Sequence, residues 1–147
     1  MSYKNKIYIL LYLFISSNSY AQTNVSGTIS STTWSASSGP YIVIDDILLQ
    51  EGSTLTIEAG TTVKFLEDKQ FQVKGTLVAR GTSSSKITFT SNESSPSKGD
   101  WKYVRFYDES TDASFSGTTY TGGSIMEYCI VEYAKAGALL PAITLIA

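Results

Sequence analysis

The stretch Gly52-Ser-Thr-Leu-Thr-Ile-Glu-Ala-Gly-Thr-Thr-Val-Lys-Phe65 reads as two short strands divided at Ala59-Gly60, and Gly75 to Phe89, GTLVARGTSSSKITF, repeats its pattern. Superposed, Leu55 falls on Leu77, Ala59 on Ala79 or Arg80, Gly60 on Gly81, Val63 on Ile87 and Phe65 on Phe89. The offset of 22 grows to 24 through the extra Ser83-Ser-Ser85. The strand upstream joins the pattern: Ile47 and Leu49 match Phe71 and Val73, which match Val104 and Phe106 once a loop is allowed at Asn92–Gly99. Three strands in a period of roughly 22 to 24 residues predict one coil of a right-handed parallel β-helix, an all-β solenoid. A single coil cannot bury its own inner face, so coils must stack. An antiparallel sandwich would also show many short strands, but it has no reason to repeat the same sequence three strands later.

The pattern extends along most of the chain. Past residue 21 no segment holds apolar residues at helical spacing, whereas alternation recurs at Tyr41–Ile44, Ile47–Gln50, Leu55–Glu58, Thr62–Phe65, Gln70–Lys74, Thr76–Ala79, Ile87–Thr90, Lys102–Tyr107 and Ile125–Tyr133. Gly, Asp and Ser/Thr clusters stand between most of these pieces, as turn chemistry requires. The reading divides the chain into a signal peptide at 1–21, an N-terminal capping segment at 22–40, and β-helix coils at 41–147.

The leader follows from Lys4 and Lys6, the apolar run Ile7 to Ile15, and Ser16 to Ala21, with cleavage expected before Gln22. The apolar run is about half of what a membrane span needs, and no later segment is a candidate span. Without Lys4 and Lys6 the eleven basic residues fall to nine against thirteen acidic ones, a net of about −4 with no His. That balance argues against nucleic acid, whose phosphates demand a basic surface. The lone Cys129 excludes an internal disulfide and is expected as a buried small hydrophobe; zinc and Cys–His catalysis lack their partners.

The ordered set TLTIEAGTTVKF, VKGTLVARGT, KITFTS, GDWKYVRF and YCIVEYA, spanning about Val43 to Ala134, resembles the parallel β-helix segments of secreted bacterial surface proteins of the pectate-lyase-like superfold, Bacteroidetes type. Where that pattern usually carries Trp-Gly-Gly-Ile, this chain has Trp101-Lys-Tyr-Val104. The resemblance implies the fold and an exported, cell-surface or extracellular life. It brings no active site with it.

No catalytic, cofactor-binding or metal residue is assigned from the sequence. Relatives of the fold that cleave polyuronates need clustered acidic residues near a base, and here the acids are scattered. Asp45-Asp46 is expected in a turn, bonded to nearby backbone. Asp108, Glu109 and Asp112 supply oxygens within five residues and are a candidate Ca²⁺ site, weighed against a solvated loop. A binding surface is the better candidate. With Val104 and Phe106 inward, Tyr103, Arg105 and Tyr107 point outward, and the same parity turns out Gln70, Gln72 and Lys74 on the neighbouring coil. Aromatics, amides and cations of this kind suit a glycan or cell-surface polysaccharide. Trp101 is expected as a lid over the core, Trp34 as a cap on the N-terminal end, and Ser91 to Lys98 as a protruding loop.

The final AKAGALLPAITLIA ends without a polar cap, and Ala142–Ala147 resembles the start of another coil. Downstream coils or end-to-end self-association at that edge are the expected partners. The leading functional expectation is a structural, adhesin-like module without catalysis of its own. The alternatives are a carbohydrate-binding or polysaccharide-degrading protein whose active site lies beyond residue 147, and an end-to-end assembling subunit.

Overall fold

The computed structural model describes residues 22–136, together with the backbone strands Ala138–Leu139 and Leu145–Ile146. The expected leader and the end-edge at Ala142–Ala147 therefore lie outside the described residues, apart from that last backbone strand. The strands are β1 Thr23–Ile29, β2 Thr32–Trp34, β3 Tyr41–Leu49, β4 Thr54–Ile57, β5 Thr62–Phe65, β6 Phe71–Val73, β7 Thr76–Arg80 and β8 Ile87–Ser91. They continue with β9 Val104–Phe106, β10 Ser114–Ser116, β11 Thr119–Gly122, β12 Ile125–Glu127, β13 Cys129–Val131, β14 Ala138–Leu139 and β15 Leu145–Ile146.

Pairing is parallel except in the hairpin β10–β11, and it builds three faces. The first face stacks Thr23–Val25 of β1, Tyr41–Val43 of β3, β5, β8 and β13. The second stacks Gly27–Ile29 of β1, Ile47–Leu49 of β3, β6, β9 and β14. The third is β2, β4, β7, β12 and β15. Each circuit of the chain visits the three faces in order, which is a parallel β-helix. The segment 22–40 contributes a first rung through β1 and β2.

Stacking places like side chains over one another. Ile47, Phe71 and Val104 are in register, as are Leu49, Val73 and Phe106, and Leu55 lies against Leu77, none more than 2% exposed. Each fully buried side chain of this kind contributes about 1.5–3 kcal/mol. Trp34 is buried in the first rung, stacking on Tyr41 with ring centroids 4.6 Å apart.

Several expectations are corrected. Val63 pairs with Phe89 rather than Ile87, Phe65 with Ser91 rather than Phe89, and the Gly60 N–H bonds the Ser85 carbonyl instead of lying against Gly81. The turn before β8 absorbs two more residues than the sequence match allowed. Phe65 instead stacks on Trp101, centroids 4.0 Å apart and planes within 5°. Trp101 is thus no lid: it is wholly buried, and its indole N–H donates to the Glu132 carbonyl at 2.9 Å. Ile125–Tyr133 is two strands, split where Tyr128 takes φ 49°. Cys129 is half-buried and packs against the margin of the core. Burial pushes its thiol pKa up to about 12. Asp45-Asp46 does not break the chain into two strands; β3 runs through it from the first face to the second.

Candidate functional site

The second face carries the predicted surface residues, and strand parity is the reason. Phe71, Val73, Val104 and Phe106 are buried, so their alternating neighbours turn outward. Gln72 is in register with Arg105. The Phe71 N–H bonds the Tyr103 carbonyl and the Tyr107 N–H bonds the Val73 carbonyl, which sets Gln70 beside Tyr103 and Lys74 beside Tyr107. All six residues fall together in two rows of three.

Their side chains are unequally engaged. The Gln70 amide donates to Asp46 Oδ2 at 2.6 Å, and its backbone N–H donates to Asp46 Oδ1. Lys74 Nζ donates to Glu109 Oε1 at 3.0 Å. That hydrogen bond and its charge raise the Lys74 pKa and lower that of Glu109. The Tyr107 ring takes Lys74 Nζ at 5.3 Å and the Arg105 guanidinium at 4.6 Å from its centroid, while its hydroxyl donates to Gln72 Oε1. Arg105 remains exposed at the centre of the patch, with half-buried Tyr103 beside it. Guanidinium and amide groups donate hydrogen bonds and do not abstract protons.

The acidic residues are drawn into ties between rungs. Asp45 accepts the Asp46 N–H at 2.9 Å and pairs with Lys69 at 3.3 Å, and these two contacts lower its pKa in that order. One rung further on, Asp68 pairs with Lys102 at 3.3 Å. Arg80 Nε donates to Glu127 at 2.7 Å, and the Thr90 hydroxyl donates to Glu132 at 2.9 Å. Asp108, Glu109 and Asp112 do not converge; among the described residues no three His, Cys, Asp or Glu groups lie close enough to hold a metal ion. No helix among the described residues is long and apolar enough to cross a membrane.

Two features escaped the sequence reading. Residues 108–123 form an insertion whose hairpin β10–β11 returns to the third face, where the Arg80 guanidinium lies 5.0 Å from the Tyr120 ring centroid. Ser124 is wholly buried behind it, and its hydroxyl accepts the Leu77 N–H at 3.2 Å. The only sequence signal was Thr121-Gly-Gly-Ser124, a turn motif indistinguishable from many others.

The fold's three-faced stack has its counterpart in sequence comparison. Residues 27–136 match the pectate-lyase-like β-helix domain, from the first rung through the last described one. The chain belongs to that family. A relative within reach is Protein bark beetle of Drosophila melanogaster, 37% identical over 76 residues, which is 52% of this chain and 2% of the fly protein. The β-helix domain here thus corresponds to a small fraction of that relative's length. No solved structure matches.

Proposed function

We propose that this chain is an exported, cell-surface or extracellular β-helix module that serves as a rigid adhesin-like scaffold, without catalysis of its own. The observation that carries the reading is the use made of charge. Asp45–Lys69, Asp68–Lys102, Lys74–Glu109 and Arg80–Glu127 each join one rung to the next. Such exposed pairs add little stability singly, but they tie the outward faces together along the stack. Export rests on the leader expected at 1–21. The test is to express the full chain in a bacterial host, fractionate the cells, sequence the N-terminus of the product, and incubate it with polyuronate. An exported protein beginning at Gln22 that releases no unsaturated sugar supports the reading. Cytoplasmic retention with residues 1–21 intact, or lyase products, would overturn it.

A second reading concerns the same scaffold's surface: a glycan lies across the second face, held by Tyr103 and Arg105. It is favoured by the six residues Gln70, Gln72, Lys74, Tyr103, Arg105 and Tyr107 meeting on one face. Retention of the wild type on immobilised cell-wall polysaccharide should fall at least tenfold in Tyr103→Ala/Arg105→Ala. Unchanged retention refutes it.

A further inference from the structure

The N-terminal rung has a property shared by no other part of the described helix. From Gln22 to Ile44 the chain contains no Lys, Arg, Asp or Glu. Its strands are nonetheless the edge of all three faces, since β1 pairs only with β3 and β2 only with β4 among the described residues. Open edges of parallel sheets invite further strands, and proteins ordinarily blunt them with Lys or Pro or keep them short. Here β1 is seven residues long and its internal irregularity is the bulge between Val25 and Gly27.

The hydrogen-bond pattern identifies the groups left at that edge. The Thr23 N–H donates to Pro40, and the Ile29 carbonyl accepts from Gln50. Backbone alternation then turns Thr23, Val25, Gly27 and Ile29 toward β3, and the N–H and C=O of Asn24 and Thr28 away from it. On the third face the Trp34 carbonyl accepts from Glu58, so Thr33 is the residue turned away. Each face presents one such residue: Asn24, Thr28 and Thr33. Their side chains are exposed and lie clear of the core.

We propose that this edge is an interface with a second copy of the chain, the two N-terminal rungs meeting end to end about a twofold axis. Paired backbone groups require an extended strand as the occupant, and a twofold contact needs only the one edge described here. The absence of charge lets like meet like without repulsion, in a chain that is elsewhere net acidic. The contact closes at a dimer.

The full chain, purified after export, is examined by sedimentation velocity across a hundredfold concentration range, beside Asn24→Lys/Thr28→Lys/Thr33→Lys. The expected result is a wild-type monomer–dimer equilibrium and a triple variant at least thirtyfold weaker in association, with an unchanged far-UV spectrum. A wild type that stays monomeric throughout overturns the proposal, as does a dimer that the three lysines leave intact. Polymers longer than a dimer that the three lysines leave intact also overturn it, because they are then built on other contacts. Should the triple variant fail to fold, amide exchange on the wild type decides: the N–H groups of Asn24, Thr28 and Thr33 gain protection with rising concentration, and no gain refutes the interface.

Discussion

Replacing Trp101 by Ala should remove the largest single piece of the core. The side chain is wholly buried, its ring plane lies within 5° of Phe65 at 4.0 Å, and its N–H satisfies the Glu132 carbonyl. Truncating a buried Trp costs about 3–5 kcal/mol through lost transfer energy and the cavity left behind. Leaving the Glu132 carbonyl without a partner adds about 1 kcal/mol. Against a total stability of roughly 5–15 kcal/mol for a domain, the variant should sit near the edge of folding. Trp101→Phe keeps a ring against Phe65 and loses the donor and part of the volume, so its cost should be nearer 1–2 kcal/mol. Urea titration followed by far-UV circular dichroism measures both. With a slope of about 2 kcal/mol per molar, the Ala variant should lower the midpoint by about 2–3 M and the Phe variant by about 0.5–1 M. An Ala variant within 1 kcal/mol of wild type would show that Trp101 is a removable lid, and the packing argument would fail.

Three further outcomes follow from the geometry. Gly75→Ala should cost about 2–3 kcal/mol in the same titration, because a Cβ there would run into the backbone carbonyls of Ser53 and Gln50; a neutral result would mean the corner is not packed as described. The Cys129 thiol, with its pKa raised from 9.0 to about 12 by burial, should react slowly with an aromatic disulfide reagent at pH 8. The folded state holds this proton more tightly than the unfolded chain, so its contribution to stability is complete below about pH 9 and is lost as pH rises toward 12. A thiol reacting at the rate of a free peptide would contradict this. The Ser97 N–H and the hydroxyls of Ser91 and Ser97 hold the Asp100 pKa below its ordinary value, so its support of the loop is present at neutral pH and lost as pH falls through that lowered value. Asp100→Asn should therefore speed tryptic cleavage after Lys98 at pH 8, and equal cleavage rates would refute the role.

The parallel stack was legible because like residues recur on like faces: Leu55 over Leu77, Ile47 over Phe71. The register of β8 was not, and the reason is geometric. A slip of two residues preserves side-chain parity, so Ile87 and Phe89 are equally acceptable partners for Val63 as far as inside and outside are concerned. What decides is how many residues the Gly81–Lys86 turn consumes, with the Thr82 and Ser85 backbone groups bonded to one another across it. Trp101 escaped for a related reason: the loop before it varies freely in length, so nothing local shows that its ring enters the core against Phe65. The six residues of the second face were legible because each depends only on parity within a short strand. Their mutual engagement was not, since Glu109 reaches Lys74 across 35 positions in the chain.

The insertion at 108–123 offers the sharpest separation of scaffold from ornament. Val78 and Ile125 are adjacent in the third face although the chain between them is twice a coil's length, so the ladder is indifferent to what loops out of it. Yet Ile125, in register with outward-facing Val78, is only 1% exposed. Cover for it must come from outside the stack, and the hairpin returning to Arg80 through Tyr120 is the element placed to give it. Replacing 114–121 by a two-residue turn should therefore uncover Ile125 and cost about 1.5–3 kcal/mol, the worth of one buried apolar side chain. Ile125→Thr should be costly in the intact chain and nearly neutral in the shortened one, a coupling that a double-mutant cycle reads directly. If the two changes add without coupling, the hairpin is not the cover of Ile125, and the insertion is free surface whose length carries no structural cost.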